Sequence, residues 1–147
     1  MEGFAPRRIL VPINGAETDA NAVRLACRLA LRQHGKVFVV TIVEVRRGLE
    51  LGEVASAEVD AAEALLESAE AIAKEYEVGL DTELLQAREA GPAIVDEIGE
   101  WKADLVVLGM PFRTRFGEFY MGRTAPYVLR SAACRVMLFR DEPPAEA

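Results

Sequence analysis

The feature that most constrains this chain is a strict alternation. Short runs of β-branched and other apolar residues recur, each separated from the next by a stretch with helical periodicity. The runs are Arg7–Ile13, Lys36–Val45, Leu80–Ala87, Leu105–Gly109 and Arg135–Arg140. The second is nearly continuous in apolar residues, as expected of a strand buried on both faces of a parallel sheet. Leu80–Ala87 is partly polar and belongs at or near an edge. Between the first two runs, Val23, Ala26, Cys27 and Ala30 recur at three-and-four spacing and predict one apolar helix face. That helix is expected to reach Gln33, with Thr18 or Asp19 as its cap and Gly35 as its left-handed stop. A longer helix is expected from Ala55 to Glu77, with Ala61, Leu65, Ala69, Ile72 and Tyr76 inward and Val78-Gly79 ending it. Gly91-Pro92 opens a third helix, with proline at its first position, and Trp101-Lys102 closes it. Thr124–Ala132 is the fourth, with Pro126 in its first turn.

The resulting order, β-α-β-α-β-α-β-α-β, predicts an α/β three-layer sandwich on a parallel sheet. In such sheets a ligand lies beyond the carboxyl ends of the strands, where the winding reverses. That places the candidate site at Pro12–Ala16, after the first strand, and at Gly109–Thr124, around the loop Met110–Arg123 after the fourth. The length of 147 residues suits a single domain over 1–147, with residues 141–147 expected to fray.

Charge narrows the function. The net charge is -7, which disfavours a nucleic-acid binder, since neutralising phosphates needs a positive face. The total hides a segregation: residues 1–43 carry a net +3, 44–101 a net -12, 102–140 a net +5 and 141–147 a net -3. The second positive stretch coincides with the candidate ligand loop. No apolar run approaches the roughly 18–20 residues of a membrane span, so no direct membrane insertion is expected. Cys27 and Cys134 have no metal-ligand spacing, and no signal-peptide core opens the chain. A reducing, cytoplasmic setting fits these features.

Several chemistries are missing. The one histidine, His34, sits at an expected helix end beside Gly35, so neither a two-histidine metal site nor a histidine triad is foreseen. No Gly-x-Gly-x-x-Gly follows the first strand, and no Gly-x-x-x-x-Gly-Lys-Ser/Thr occurs. Nothing forms a convincing acid and base pair, so no catalytic residue and no metal ligand is assigned.

Two segments carry a family likeness. Arg8-Ile9-Leu10-Val11-Pro12-Ile13-Asn14-Gly15 and Ala103–Phe139 resemble the universal stress protein family, and the likeness in element order and length extends along the chain. It implies a Rossmann-like fold of the adenine nucleotide alpha hydrolase-like type, with four helices and a five-stranded sheet in the order 3-2-1-4-5. It also implies a homodimer, commonly formed by antiparallel pairing of the last strands, here Val136, Met137, Leu138 and Phe139. An open apolar edge strand has a physical reason to seek such a partner. Nucleotide-binding members carry Gly-x-x-Gly-x(9)-Gly-Ser/Thr after the fourth strand and an aspartate at the end of the first. Glycines there let backbone N–H groups approach phosphate oxygens, and a helix N-terminus adds partial positive charge.

This chain keeps part of that signature. Gly109 and Gly122 match the first and last glycines; Phe112 stands at the second; Arg123 stands at the hydroxyl position, with Thr124 next. Asn14 replaces the aspartate, and Ala16 a common serine. Two readings follow. In one, the pocket has lost ATP and the protein is a dimeric, non-catalytic stress-response regulator with a protein partner. In the other, Arg113, Arg115 and Arg123 hold ATP, another adenine nucleotide such as AMP or a cyclic nucleotide, or another anion, through guanidinium hydrogen bonds. The resemblance then places Pro12, Ile13 and Asn14 near base and ribose, Ile42 along the adenine, and Gly109, Met110, Gly122, Arg123 and Thr124 around the phosphates. Weak ATP hydrolysis stays open. Relatives also suggest a regulatory module for a membrane transporter. Group-transferring relatives usually show a Ser-Gly-Gly-rich loop or a His-rich signature, which this chain lacks.

Overall fold

The computed structural model describes residues 3–50, 52 and 55–145. Its main strands are β1 (Arg8–Ile13), β2 (Lys36–Glu44), β3 (Gly79–Ala87) and β4 (Leu105–Met110). A short pair, β5 (Thr114–Arg115) and β6 (Glu118–Phe119), precedes the last strand, β7 (Arg135–Arg140). The helices are α1 (Asp19–Arg32), α2 (Ser56–Tyr76), α3 (Ala90–Trp101) and α4 (Thr124–Ser131). The five long strands form one parallel sheet, ordered β3-β2-β1-β4-β7. This is the expected 3-2-1-4-5 order, with β7 as the fifth main strand.

Strand alternation divides the core into two layers. Ile9, Val11 and Ile13 point to the α1/α2 side with Val37, Val39, Leu105 and Val107. Leu10 points the other way, with Phe38, Val40, Val106, Leu108 and Met110, under α3 and α4. Successive strand residues face opposite sides, so apolar residues at every position satisfy both layers. Ala22, Val23, Ala26, Cys27 and Ala30 of α1 are all buried. On α2, Ala62, Leu66, Ala69, Ile72 and Ala73 are buried, whereas Ala61 is exposed and Leu65 and Tyr76 are half-buried. The expected stripe therefore shifts by one residue in the first half of that helix.

Local details also differ from expectation. Neither Thr18 nor Asp19 caps α1 with its side chain in the expected way. Thr18 is fully buried, and its hydroxyl donates to Asp141 Oδ2 at 2.8 Å. The left-handed residue after α1 is His34, φ +53°, rather than Gly35. Gly35 answers a different need: a Cβ there would lie 2.5 Å from the Arg7 carbonyl oxygen. Glu77 and Lys102, both left-handed, close α2 and α3. Pro92 is third in α3, still within the first turn, where an absent N–H breaks no helical bond.

The expected fray does not begin at Asp141. Its N–H donates to the Met110 carbonyl at 2.9 Å, and its carboxylate holds Thr18. Replacing Thr18 by valine keeps the shape and removes the hydroxyl. We expect a loss of about 1 kcal/mol, for a hydrogen bond to a charged group that is only half-buried. At this chain length that lowers the melting temperature by about 2–4 °C. An unchanged melting temperature would show that the Thr18 bond does not hold the tail.

Candidate functional site at the carboxyl ends of β1 and β4

The winding reverses between β1 and β4, and Pro12 marks the place. The β1–β2 ladder runs to Ile13, but the β1–β4 register stops at Leu10–Val106. Pro12 has no N–H to extend a ladder, so the two strands part beyond it. This is the crevice in which an open α/β sheet takes a ligand.

The turn after β1 satisfies its own backbone. The Asp19 carboxylate accepts from the N–H of Asn14 at 3.2 Å and of Gly15 at 2.7 Å. Asn14 Oδ1 accepts from the Ala16 N–H at 3.1 Å. Burial raises the Asp19 pKa, against the lowering effect of these N–H groups. Three amides that could meet a ligand are therefore turned inward. Ile13 is buried toward α1 and α2, and Pro12 is half-buried.

On the β4 side, Gly109 has a packing role. A Cβ there would lie 2.9 Å from Ala22 Cβ and 3.4 Å from Thr18 Cγ2. Helix α1 thus occupies the space that the absent side chain leaves. Met110 is buried in the opposite layer, and Ile42 and Met121 pack on that same cluster.

The loop after β4 is built rather than open. Thr114 pairs with Phe119 and Arg115 with Glu118, across a turn at Phe116 (φ +54°) and Gly117 (φ +79°). Two positive φ values in succession suit the twist of a hairpin. Phe112 meets Phe119 with ring centroids 5.5 Å apart, and the Arg140 guanidinium lies 5.1 Å and 5.7 Å from the two rings. Phe112 thus anchors the hairpin to the end of β7. Phe116, at the tip, is 94% exposed.

The arginines do not converge. Arg113 meets Glu17 at 3.6 Å and lines a cavity of about 720 Å³ with Phe112 and Asp141. Arg115 lies over the rings of Phe116 and Tyr120. Arg123 and Thr124 open α4 and line a separate cavity of about 290 Å³, facing the start of α3 at Gly91. Gly122, just before them, is left-handed at φ +75°.

Sequence reasoning missed three residues of that second cavity. Arg130, one α4 turn beyond Tyr127, adds a cation, while Glu44 and Glu89 add carboxylates. Glu44 and Glu89 close the ends of β2 and of the segment before α3, a proximity only the fold reveals. A wider groove of about 820 Å³ continues past them along α3, lined by Asp96, Glu97 and Glu100 and by Arg46 and Arg47. Desolvation raises the Glu97 pKa, and the charges of Glu83, Glu100 and Asp96 add to it.

Other reactive groups lie elsewhere. Cys27 is fully buried in α1, and burial pushes its thiol up to about 11, leaving it unionised at neutral pH. His34 lies just before β2, at the amino end of the sheet, away from the crevice. Among the described residues, no group of three or more His, Cys, Asp or Glu side chains could hold a metal ion. No helix among them is long and apolar enough to cross a membrane.

Parallel sheet, two helical layers and a crevice split by Pro12 define a Rossmann-like α/β protein of the kind that binds ligands at a switch point. The universal stress protein family model matches residues 6–140, and the chain belongs to that family. A universal stress protein of Methanocaldococcus jannaschii is 25% identical over 140 residues, covering 91% of this chain and 82% of the relative. The universal stress protein of Archaeoglobus fulgidus superposes with a TM-score of 0.77 at 22% identity, covering 90% of this chain and 97% of that one. Its complex with dAMP gives 0.71 at 22% identity, covering 90% and 96%. A family member from Arabidopsis thaliana with AMP bound gives 0.69 at 14% identity, covering 93% of each chain.

Proposed function

We propose that this chain is a non-catalytic, homodimeric regulatory domain of the stress response, whose nucleotide pocket no longer cradles a triphosphate. The observation that carries this reading is the hairpin. The loop that would wrap phosphates is closed on Phe112, Phe119 and Arg140, and the turn amides after β1 are bonded to Asp19 and Asn14. The dimer reading rests on β7, an edge strand with Leu138 39% exposed.

A second reading concerns what the pocket keeps. Arg123 and Thr124 stand at the N-terminus of α4, where a single phosphate gains both charge and N–H donors, and Arg130, in the last turn of α4, lines the same cavity. In this reading Pro12, Asn14 and Ile42 take the base side. Neighbours of the same fold bind dAMP and AMP. The ligand this supports is an adenine nucleoside monophosphate. Glu44 and Glu89, across the cavity, disfavour further negative charge.

Calorimetric titration with AMP and ATP tests both statements. We expect ATP to bind no tighter than AMP. A tenfold preference for ATP would show a working triphosphate cradle and overturn the proposal. Flat titrations with both would leave the dimeric regulator and remove the ligand. Sedimentation tests the dimer separately.

A further inference from the structure

We infer that the free edge of β3 is a docking strip for an extended, lysine- or arginine-bearing segment of a partner protein. The segment adds a strand to the sheet beside β3 and sends alternate basic side chains along α3. The site is separate from the crevice after β1 and from β7.

The backbone shows which groups are free. β3 closes one side of the sheet and is nine residues long, against six for β7 at the other side. The Val45 N–H donates to the Ala87 carbonyl at 2.8 Å, so Ala87 turns its backbone toward β2. Backbone direction alternates along a strand, so Asp81, Glu83 and Leu85 turn the same way. Leu80, Thr82, Leu84 and Gln86 then point their N–H and C=O groups away from the sheet. Among the described residues, no backbone group bonds to these four. Such a row is a template for an added strand.

The side chains set the chemistry of that strand. Leu80 and Leu84 pack toward α1 and α2, and Thr82 donates to Glu70 of α2 at 3.2 Å. Alternation therefore puts Asp81, Glu83, Leu85 and Ala87 on the α3 face. There the groove of about 820 Å³ runs between β3 and α3. Its floor includes Leu85 and Ala87, and its α3 wall is Ala93, Asp96, Glu97 and Glu100, one helix face. Glu83, Asp96 and Glu100 lie near enough to Glu97 to repel its charge, and a cation between them relieves that repulsion. The groove's own cations do not fill this role. Arg46 and Arg47 belong to the loop after β2, and Arg88 donates to the Val45 and Arg46 carbonyls at 3.5 and 2.7 Å. The α3 wall is thus left negative.

Charge selects the occupant. Residues 44–101 carry a net -12, and Asp81 and Glu83 are exposed on β3 itself. Opposite charges across a strand pair stabilise it, and like charges destabilise it. A second β3 would bring carboxylates against carboxylates, so another copy of this chain is a poor partner here. A fitting segment alternates basic residues, on the α3 face, with β-branched or apolar ones, on the face of Leu80 and Leu84.

A labelled, end-capped peptide of Lys-Val repeats, about eight residues long to match β3, tests this by fluorescence anisotropy at low ionic strength. We expect saturable binding with a Kd below about 1 mM, and none for the Glu-Val counterpart. Two further peptides carry N-methyl groups on every valine or on every lysine. The amides facing β3 belong to alternate residues, so at least one of the two must fail to bind: the valine version for an antiparallel strand, the lysine version for a parallel one. Glu83→Lys should weaken binding about fivefold. Glu118→Lys, an equal change in the β5–β6 hairpin, should not. Thr82→Pro removes an outward N–H while leaving the ladder to β2, a place where edge strands tolerate proline, and should abolish binding without unfolding the protein. No binding of the Lys-Val peptide up to about 1 mM overturns the proposal. Full binding of both methylated peptides overturns it too, since the cations would then be held without strand pairing. Equal binding of the Glu-Val peptide overturns the charge selection on which the occupant rests.

Discussion

Replacing Gly109 by alanine will destabilise this protein by about 1–3 kcal/mol, the usual cost of forcing a methyl group into a well-packed interior. The added Cβ would stand 2.9 Å from Ala22 Cβ, and it cannot avoid that contact by a rotamer change, because alanine has none. Helix α1 must then lift from β4, which disturbs Thr18 and its bond to Asp141. Thermal unfolding should show the loss as a fall of roughly 2–12 °C. The mechanism has its own check. Ala22→Gly removes the methyl group that collides, so the double variant should recover part of the loss despite the helix cost of glycine, about 1 kcal/mol. A coupling of at least about 0.5 kcal/mol in that cycle marks direct contact. Additive effects would place the need for glycine elsewhere, for example at a ligand. The distinction bears on function, because the same glycine opens the phosphate signature of nucleotide-binding relatives. In this chain a packing requirement is enough to explain it.

That ambiguity shows what the sequence made legible and what it could not. Five apolar runs separated by helical stretches specify the layers, because a strand covered on both faces has no place for charge. Val37–Val40 is the clearest case, four residues serving alternate layers. The α2 stripe was harder. In a helix rich in alanine, with Leu65 and Leu66 adjacent, periodicity does not decide which leucine points inward; packing on the sheet chose Leu66. The hairpin had almost no local signal. Its strands are two residues each, and Phe116-Gly117 lacks the Asn or Asp that usually announces such a turn. The site suffered most from distance along the chain. Thr18 meets Asp141 across 123 positions, and Arg113 turns to Glu17 rather than to Arg123. An arginine-rich loop reads as one cationic site in sequence. In three dimensions its members serve a salt bridge, a ring stack and a helix N-terminus.

Arg123→Ala should therefore separate these roles, with the largest effect on ligand affinity. If AMP is the ligand, its phosphate lies at the start of α4, and the Arg123 guanidinium supplies a charge-assisted hydrogen bond. Removing a hydrogen bond to a charged group costs about 1.5–3 kcal/mol. At roughly 1.4 kcal/mol per decade, AMP affinity should fall roughly 10- to 150-fold. Arg113→Ala removes an equal charge from the same loop, but from a different cavity and from a partner, Glu17, that is itself exposed. Its effect on AMP should stay within twofold. Equal losses at the two positions would mean that the positive field of the whole loop attracts the ligand and that position within it is irrelevant. Such a field is screened, so those losses would shrink together as salt is raised toward 1 M, where the screening length is about 3 Å. A direct contact keeps most of its difference there. Loss at Arg123 alone, retained in salt, places the phosphate at α4 and assigns the hairpin arginines to holding the loop closed.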